Sequence, residues 1–264
     1  MGIVSRLVIK AKYLPQNKTI LFKGFDSLNR CLESIRKILW YDKAREILII
    51  SKKNLSCILA NKIDEKTIEN LKNKCPEWML VIGLEFNDLE KYHVDLADFK
   101  DFGVKFSENL NINNIKLKNV FLKEFELPDR LNNFRTFKKV LHIPFYINRD
   151  KILQLNNLIE KISIKYDYSF EDLLGYIMPI EQGHTYYMDY TIHYDKKSSD
   201  IEKVKKFYTE LSKVILENGG VIDRPYGIWA DLIFSKNLEL FNFLKIVKNQ
   251  LDPNNILNPG KLGL

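Results

Sequence analysis

Residues 184–220 read HTYYMDYTIHYDKKSSDIEKVKKFYTELSKVILENGG. The first twelve alternate in the period-2 manner of a strand. His184, Tyr186, Met188, Tyr190 and Ile192 point one way, and Tyr187, Asp189, Thr191 and His193 the other. Ser199 and Glu202 form a capping box, and Ile201, Val204, Phe207, Tyr208, Leu211, Val214 and Ile215 recur at helical spacing. Gly219-Gly220 then stops the helix. The second face of the strand is polar in mid-strand, where such groups need partners or a ligand. It reads either as a ligand-facing surface carrying Tyr187 and Asp189 or as the solvated outer face of an antiparallel sheet.

Other segments repeat this strand-and-helix theme. Upstream, 3–13 (IVSRLVIKAKY), TILFKGF, EILIISKK, LSCILA and WMLVIGLEF read as strands, with helices from Ser27 and over DEKTIENLKNKC. Residues 88–135 are rich in Asn, Lys, Asp and Phe and weak in periodicity, which reads as an irregular insertion. Order returns with the strand at 139–147, a helix from Asp150, a strand near FEDLLGYIMPIE, and a last helix from Leu238 to Leu251 with Leu240, Leu244 and Val247 inward. The expected fold is α+β: an antiparallel sheet covered by helices on one face, built from two ferredoxin-like strand–helix–strand halves. One domain, 1–264, is expected, with a first half at 1–87, the insertion at 88–135 and a second half at 136–264.

The 264 residues, 45% apolar and 28% charged, suffice for a full core. The net charge of +7 comes from Lys spread along the chain beside Glu and Asp, without an RNA-binding aromatic motif, helix-turn-helix or zinc finger, so nucleic-acid binding is not expected. No apolar run approaches the roughly 18 residues of a membrane span, and the N-terminus lacks a signal-peptide layout. Cys31, Cys57 and Cys75 follow no metal-ligand spacing, which suits buried thiols and a cytoplasmic setting. His184 and His193, nine residues apart on one strand, face opposite ways, so no metal site is expected there.

Four stretches in order, GIVSRLVIKAKYLP (2–15), GHTYYMDYTIHYD (183–195), ENGGVIDRPYGIWADL (217–232) and KNQLDPNNILNPGK (248–261), carry a resemblance. The chain resembles the C-terminal cap half of FAD-linked oxidases of the vanillyl-alcohol oxidase, D-lactate dehydrogenase and glycolate oxidase superfamily. The match is sharpest at LDPNNILNPGK. In that family an FAD-binding domain precedes the cap, whereas here Met1 stands directly before the first cap strand. The resemblance therefore implies a split FAD-dependent oxidoreductase, in which this subunit covers an alcohol or hydroxy-acid substrate and a partner FAD-binding-domain subunit holds most of the flavin; the alternative is that the chain is a fragment of a longer one. An iron–sulfur or electron-transfer protein is a further expected partner.

The catalytic candidates are Arg224 and Tyr226 by the same resemblance, Tyr187 and Asp189 from the polar strand face, and His184 at the strand entrance, while Arg224, Asn258, Pro259, Gly260 and Lys261 are the cofactor-binding ones the resemblance implies. Arg224 would face the flavin, since a permanently charged fork suits a carboxylate or a flavin carbonyl; a plain surface turn is the competing reading. The sequence lacks the glycine-rich turn and the E-H-G histidine of the 2-hydroxy-acid enzymes, having GHTYYMDYTIHYD and DRPYG instead. That points toward the vanillyl-alcohol oxidase and cresol methylhydroxylase side. It also keeps open an alternative, a non-catalytic assembly or regulatory subunit that retains the cap fold. His142, in VLHIPF, reads as structural.

Overall fold

The structure, a computed structural model, describes residues 8, 15–40, 44, 46–62, 64–101, 103–126, 138–195 and 201–260. The expected strand at 3–13, the Ser199 end of the capping box and Lys261 lie outside them. Pro15–Gly220 is one compact unit, and the described residues from Val221 onward belong to a second.

The first unit is built on a six-stranded sheet. Its strands are β1 (Asn17–Phe25), β2 (Glu46–Ser51), β3 (Trp78–Phe86), β6 (Lys139–Asn148), β7 (Leu174–Ile180) and β8 (Thr185–Tyr194). They lie in the order β1-β3-β2-β7-β8-β6, every neighbouring pair antiparallel. Each half places its first strand at an edge, its second at the centre and its third between them. The halves join where Ile49 and Ile50 of β2 face Ile177 and Tyr176 of β7. Helix α1 (Leu28–Trp40) links β1 to β2, and α6 (Ile152–Lys165) links β6 to β7. The sheet thus contains the same strand–helix–strand–strand unit twice.

Between β2 and β3 the first half inserts α2 (Lys52–Leu59) and α3 (Glu65–Lys72). LSCILA, expected as a strand, forms most of α2. Ser51 caps that helix by accepting from Asn54 N, and Leu55, Cys57, Ile58 and Leu59 are all buried. A helix buried nearly all round loses its amphipathic stripe, so its apolar run reads like a strand. Within 88–135, read from sequence as irregular, the described residues form α4 (Leu89–Asp101), a hairpin of β4 (Asn111–Ile112) and β5 (Ile115–Lys116), and α5 (Leu117–Glu126). The hairpin turns on Asn113 (φ 51°) and Asn114 (φ 64°), residues that tolerate left-handed backbone.

One face of the sheet carries Ile20, Phe22, Leu48, Ile50, Met79 and Val81, packed with Leu55 and Ile58 of α2, Ile68 and Leu71 of α3, and Val120 and Phe121 of α5. The opposite face buries Leu80, Ile82, Phe145, Tyr186, Met188, Tyr190 and Ile192. Tyr190 reaches α6 there, donating to Asn156 Oδ1 at 2.5 Å. Helix α7 (Ile201–Glu217) follows β8, with Phe207, Leu211 and Ile215 buried, and ends as expected. Gly219 takes φ 88°, and the Gly220 amide closes on the Ile215 carbonyl at 2.8 Å. A side chain on Gly220 would meet Ile215 Cγ2 at 2.4 Å. Cys31, Cys57 and Cys75 are buried free thiols, and burial pushes Cys57 and Cys75 up to about 12.

The second unit holds α8 (Ile228–Phe234) and α9 (Leu238–Leu251), followed by the terminal loop. Helix α9 has the expected bounds. Leu240, however, is 46% exposed, and Leu238, Phe243, Ile246, Leu251, Ile256 and Leu257 are exposed as well. No helix among the described residues is long and apolar enough to cross a membrane.

Candidate functional site

Strand parity sends Tyr187, Asp189 and Thr191 to the same face of the sheet as Tyr176 and Met178 of β7. The β6–β8 register adds neighbours from the edge strand: Tyr146 stands opposite Tyr187, Pro144 opposite Asp189 and His142 opposite Thr191. Asp189 and Thr191 are buried, while His142, Tyr146, Tyr176 and Tyr187 are half-buried. Polar groups thus occupy the β6–β8 part of this face, whereas its β1–β3 part carries an apolar core.

They are mutually bonded. His142 Nδ1 lies 3.0 Å from Asp189 Oδ2 and 2.8 Å from Thr191 Oγ1, and the Thr191 hydroxyl donates to Asp189 Oδ1 at 3.4 Å. The carboxylate beside Nδ1 places that nitrogen to donate to Asp189 Oδ2. Tyr187 extends the cluster, its ring centroid 5.4 Å from that of Tyr146 and 5.9 Å from that of Tyr176. Burial, then the neighbouring Tyr176 and Asp189, push the Tyr187 phenol well above its usual range, so it stays a protonated donor.

Tyr187 and Asp189 are therefore brought together, and His142, read from sequence as structural, joins them. Nothing local in VLHIPF signals this; it follows from the register between strands almost 50 residues apart in sequence. His184 is elsewhere. It is exposed at a separate cleft that it lines with Arg36 and Arg149.

The remaining candidates lie in the second unit. The Tyr226 amide donates to the Arg224 carbonyl at 2.8 Å across Pro225, and Gly227 takes φ 55°, ψ −129°, a conformation open essentially to glycine. That turn leaves the Arg224 side chain 74% exposed and Tyr226 47% exposed. Asn258 and Gly260, at φ 50° and 72°, shape the terminal loop with Pro259 between them.

Two residues that sequence reading passed over pin that loop. Asp252 accepts from the amides of Ile256 at 2.9 Å and Leu257 at 2.8 Å. Lys248, one turn earlier on α9, pairs with Asp252 and donates to the Leu257 carbonyl at 2.5 Å. The hydrogen bond from Lys248, joined by those from the two amides, holds the Asp252 carboxyl below the usual range against the opposing effect of desolvation.

Residues 147–262 match the family model described as FAD linked oxidases, C-terminal domain. Among solved structures, 4-ethylphenol oxidase from Gulosibacter chungangensis, in its isoeugenol complex, superposes with a TM-score of 0.73 at 13% identity, over 95% of this chain and 54% of its own. p-Cresol methylhydroxylase with substrate bound gives 0.70 at 15% identity, over 95% and 53%. An alkyldihydroxyacetonephosphate synthase gives 0.58 at 12%, over 93% and 45%. At such identities the likeness is one of fold, and the chain spans about half the length of these structures. No curated protein matches the sequence.

Proposed function

We propose, from the premise that this chain has the fold of the FAD-linked oxidase C-terminal domain, that it is the substrate-facing half of an FAD-dependent oxidoreductase acting on an alcohol or hydroxy acid. The observation that carries the reading is the Asp189–His142–Thr191 cluster beside Tyr187 on a polar stretch of an otherwise aliphatic sheet face. The row Tyr146, Tyr187 and Tyr176 fits the edge of a planar ring system bordered by hydrogen-bonding groups. When bound, FAD supplies the two-electron acceptor that alcohol oxidation requires.

This chain's own part is proton handling and positioning. His142 Nε2 takes the hydroxyl proton, and the Asp189 carboxylate stabilises the imidazolium that results. Tyr187, kept protonated, donates to an oxygen of the substrate or the flavin. Arg224, exposed with Tyr226 on its turn in the second unit, offers a permanent cation to an anionic group of the cofactor. Asn258, Pro259, Gly260 and Lys261 contact the flavin-bearing partner. One observation supports a partner surface: α9 with the terminal loop exposes a series of large apolar side chains.

The test is turnover of the flavin-loaded complex. His142→Gln and Asp189→Asn should each lower kcat/KM by roughly 10²–10⁴-fold, the span for loss of a positioned base. Unchanged turnover in both would favour the reading as a non-catalytic assembly subunit.

A further inference from the structure

A second polar site lies on the opposite face of the sheet from Asp189. An open cleft of about 820 Å³ is lined by Arg36, Leu39 and Trp40 of α1, Arg149 and Asp150 after β6, and Gln182, His184 and Tyr186 at the turn into β8. Strand parity places Tyr186 on the face away from Tyr187 and Asp189, so the two sites do not share a wall of side chains.

Three features mark the cleft as built for a ligand. Arg36 and Arg149 form no side-chain ion pair or hydrogen bond among the described residues, although guanidinium groups converging on one cleft repel each other. The Tyr186 side chain is 0% exposed, and its hydroxyl is sealed from solvent with no hydrogen-bond partner. An orphaned buried hydroxyl is destabilising unless something accepts from it. Burial holds that phenol up at about 12, with the Arg149 charge opposing, so it is a donor. Finally, Trp40 at the lip is 84% exposed, an uncommon setting for so large an apolar surface.

We propose that this cleft binds a small organic carboxylate. Arg36 and Arg149 grip the carboxylate, Leu39 and Trp40 cover the apolar body, and ligand entry must part the side chains over the sealed Tyr186 hydroxyl before it donates to the carboxylate. With Asp150 set against the two arginines, the fixed charges leave a surplus of one positive charge, which suits a singly charged carboxylate better than a phosphate. Planar two-pronged acceptors also match the guanidinium fork. The turn into β8 makes room at close tolerance: Gly183 has φ 83°, and a side chain there would meet Leu39 Cδ1 at 2.5 Å.

The test is titration of the full chain with benzoate, and separately with inorganic phosphate, followed by calorimetry and tryptophan fluorescence. Benzoate should bind saturably, quench Trp40 emission and bind tighter than phosphate. Arg36→Gln and Arg149→Gln should each weaken benzoate roughly tenfold or more. Tyr186→Phe should weaken it severalfold while melting no lower than the parent chain, since it removes an unsatisfied hydroxyl. Absence of saturable benzoate binding, arginine variants that bind as the parent does, or tighter phosphate binding would each overturn the proposal. None of these outcomes bears on the flavin reading, which concerns the other face.

Discussion

Asp252 shows how one side chain can organise a segment. The sequence LDPNNILNPG displays its left-handed residues and its prolines plainly, and the backbone uses Asn255, Asn258 and Gly260 in that way. It does not display what holds the loop, because an Asp four residues after a Lys is common on helix surfaces. The carboxyl pKa is lowered in the fold, so its contribution is fully present above the unfolded value of about 3.9 and is lost as pH falls through the lowered folded value. Asp252→Asn keeps the shape and removes the charge. It should lower the hydrogen-exchange protection factors of the Ile256 and Leu257 amides at neutral pH, and acidification should lower them likewise in the parent chain once the slower intrinsic rate is allowed for. Protection unchanged in both would refute the pin.

At the scale of elements, legibility followed exposure. Helix α7 was clear from sequence because its buried stripe alternates with Lys and Glu, and Phe207 at its centre is 1% exposed. Phe207→Ala should cost about 3–5 kcal/mol, read as a lowered denaturation midpoint; a loss below about 1 kcal/mol would mean that α7 is not packed as described. Helix α2 was illegible for the converse reason, since burial on nearly every side erases the stripe. The site shows the same division. That Tyr187 and Asp189 share a polar face was legible from the alternation within β8, but their contact with His142 was not. Its partner is set by the β6–β8 register, a long-range property that no local pattern encodes.

At the scale of the molecule, the repeated strand–helix–strand–strand unit explains both the sheet and its division of labour. The first half spends the face bearing Ile20, Leu48 and Val81 on an aliphatic core under α2, α3 and α5. The second half turns the same face into Tyr187, Asp189, Thr191 and His142. It is on this polar face that the proposed flavin reading rests. The most direct measurement is flavin content after co-expression with an FAD-binding-domain polypeptide and purification through a tag on this chain. The account expects a stable complex with flavin absorbance at one FAD per pair, bleached on addition of an oxidisable alcohol or hydroxy acid. A complex purified without flavin, or one whose flavin no such substrate reduces, would contradict it.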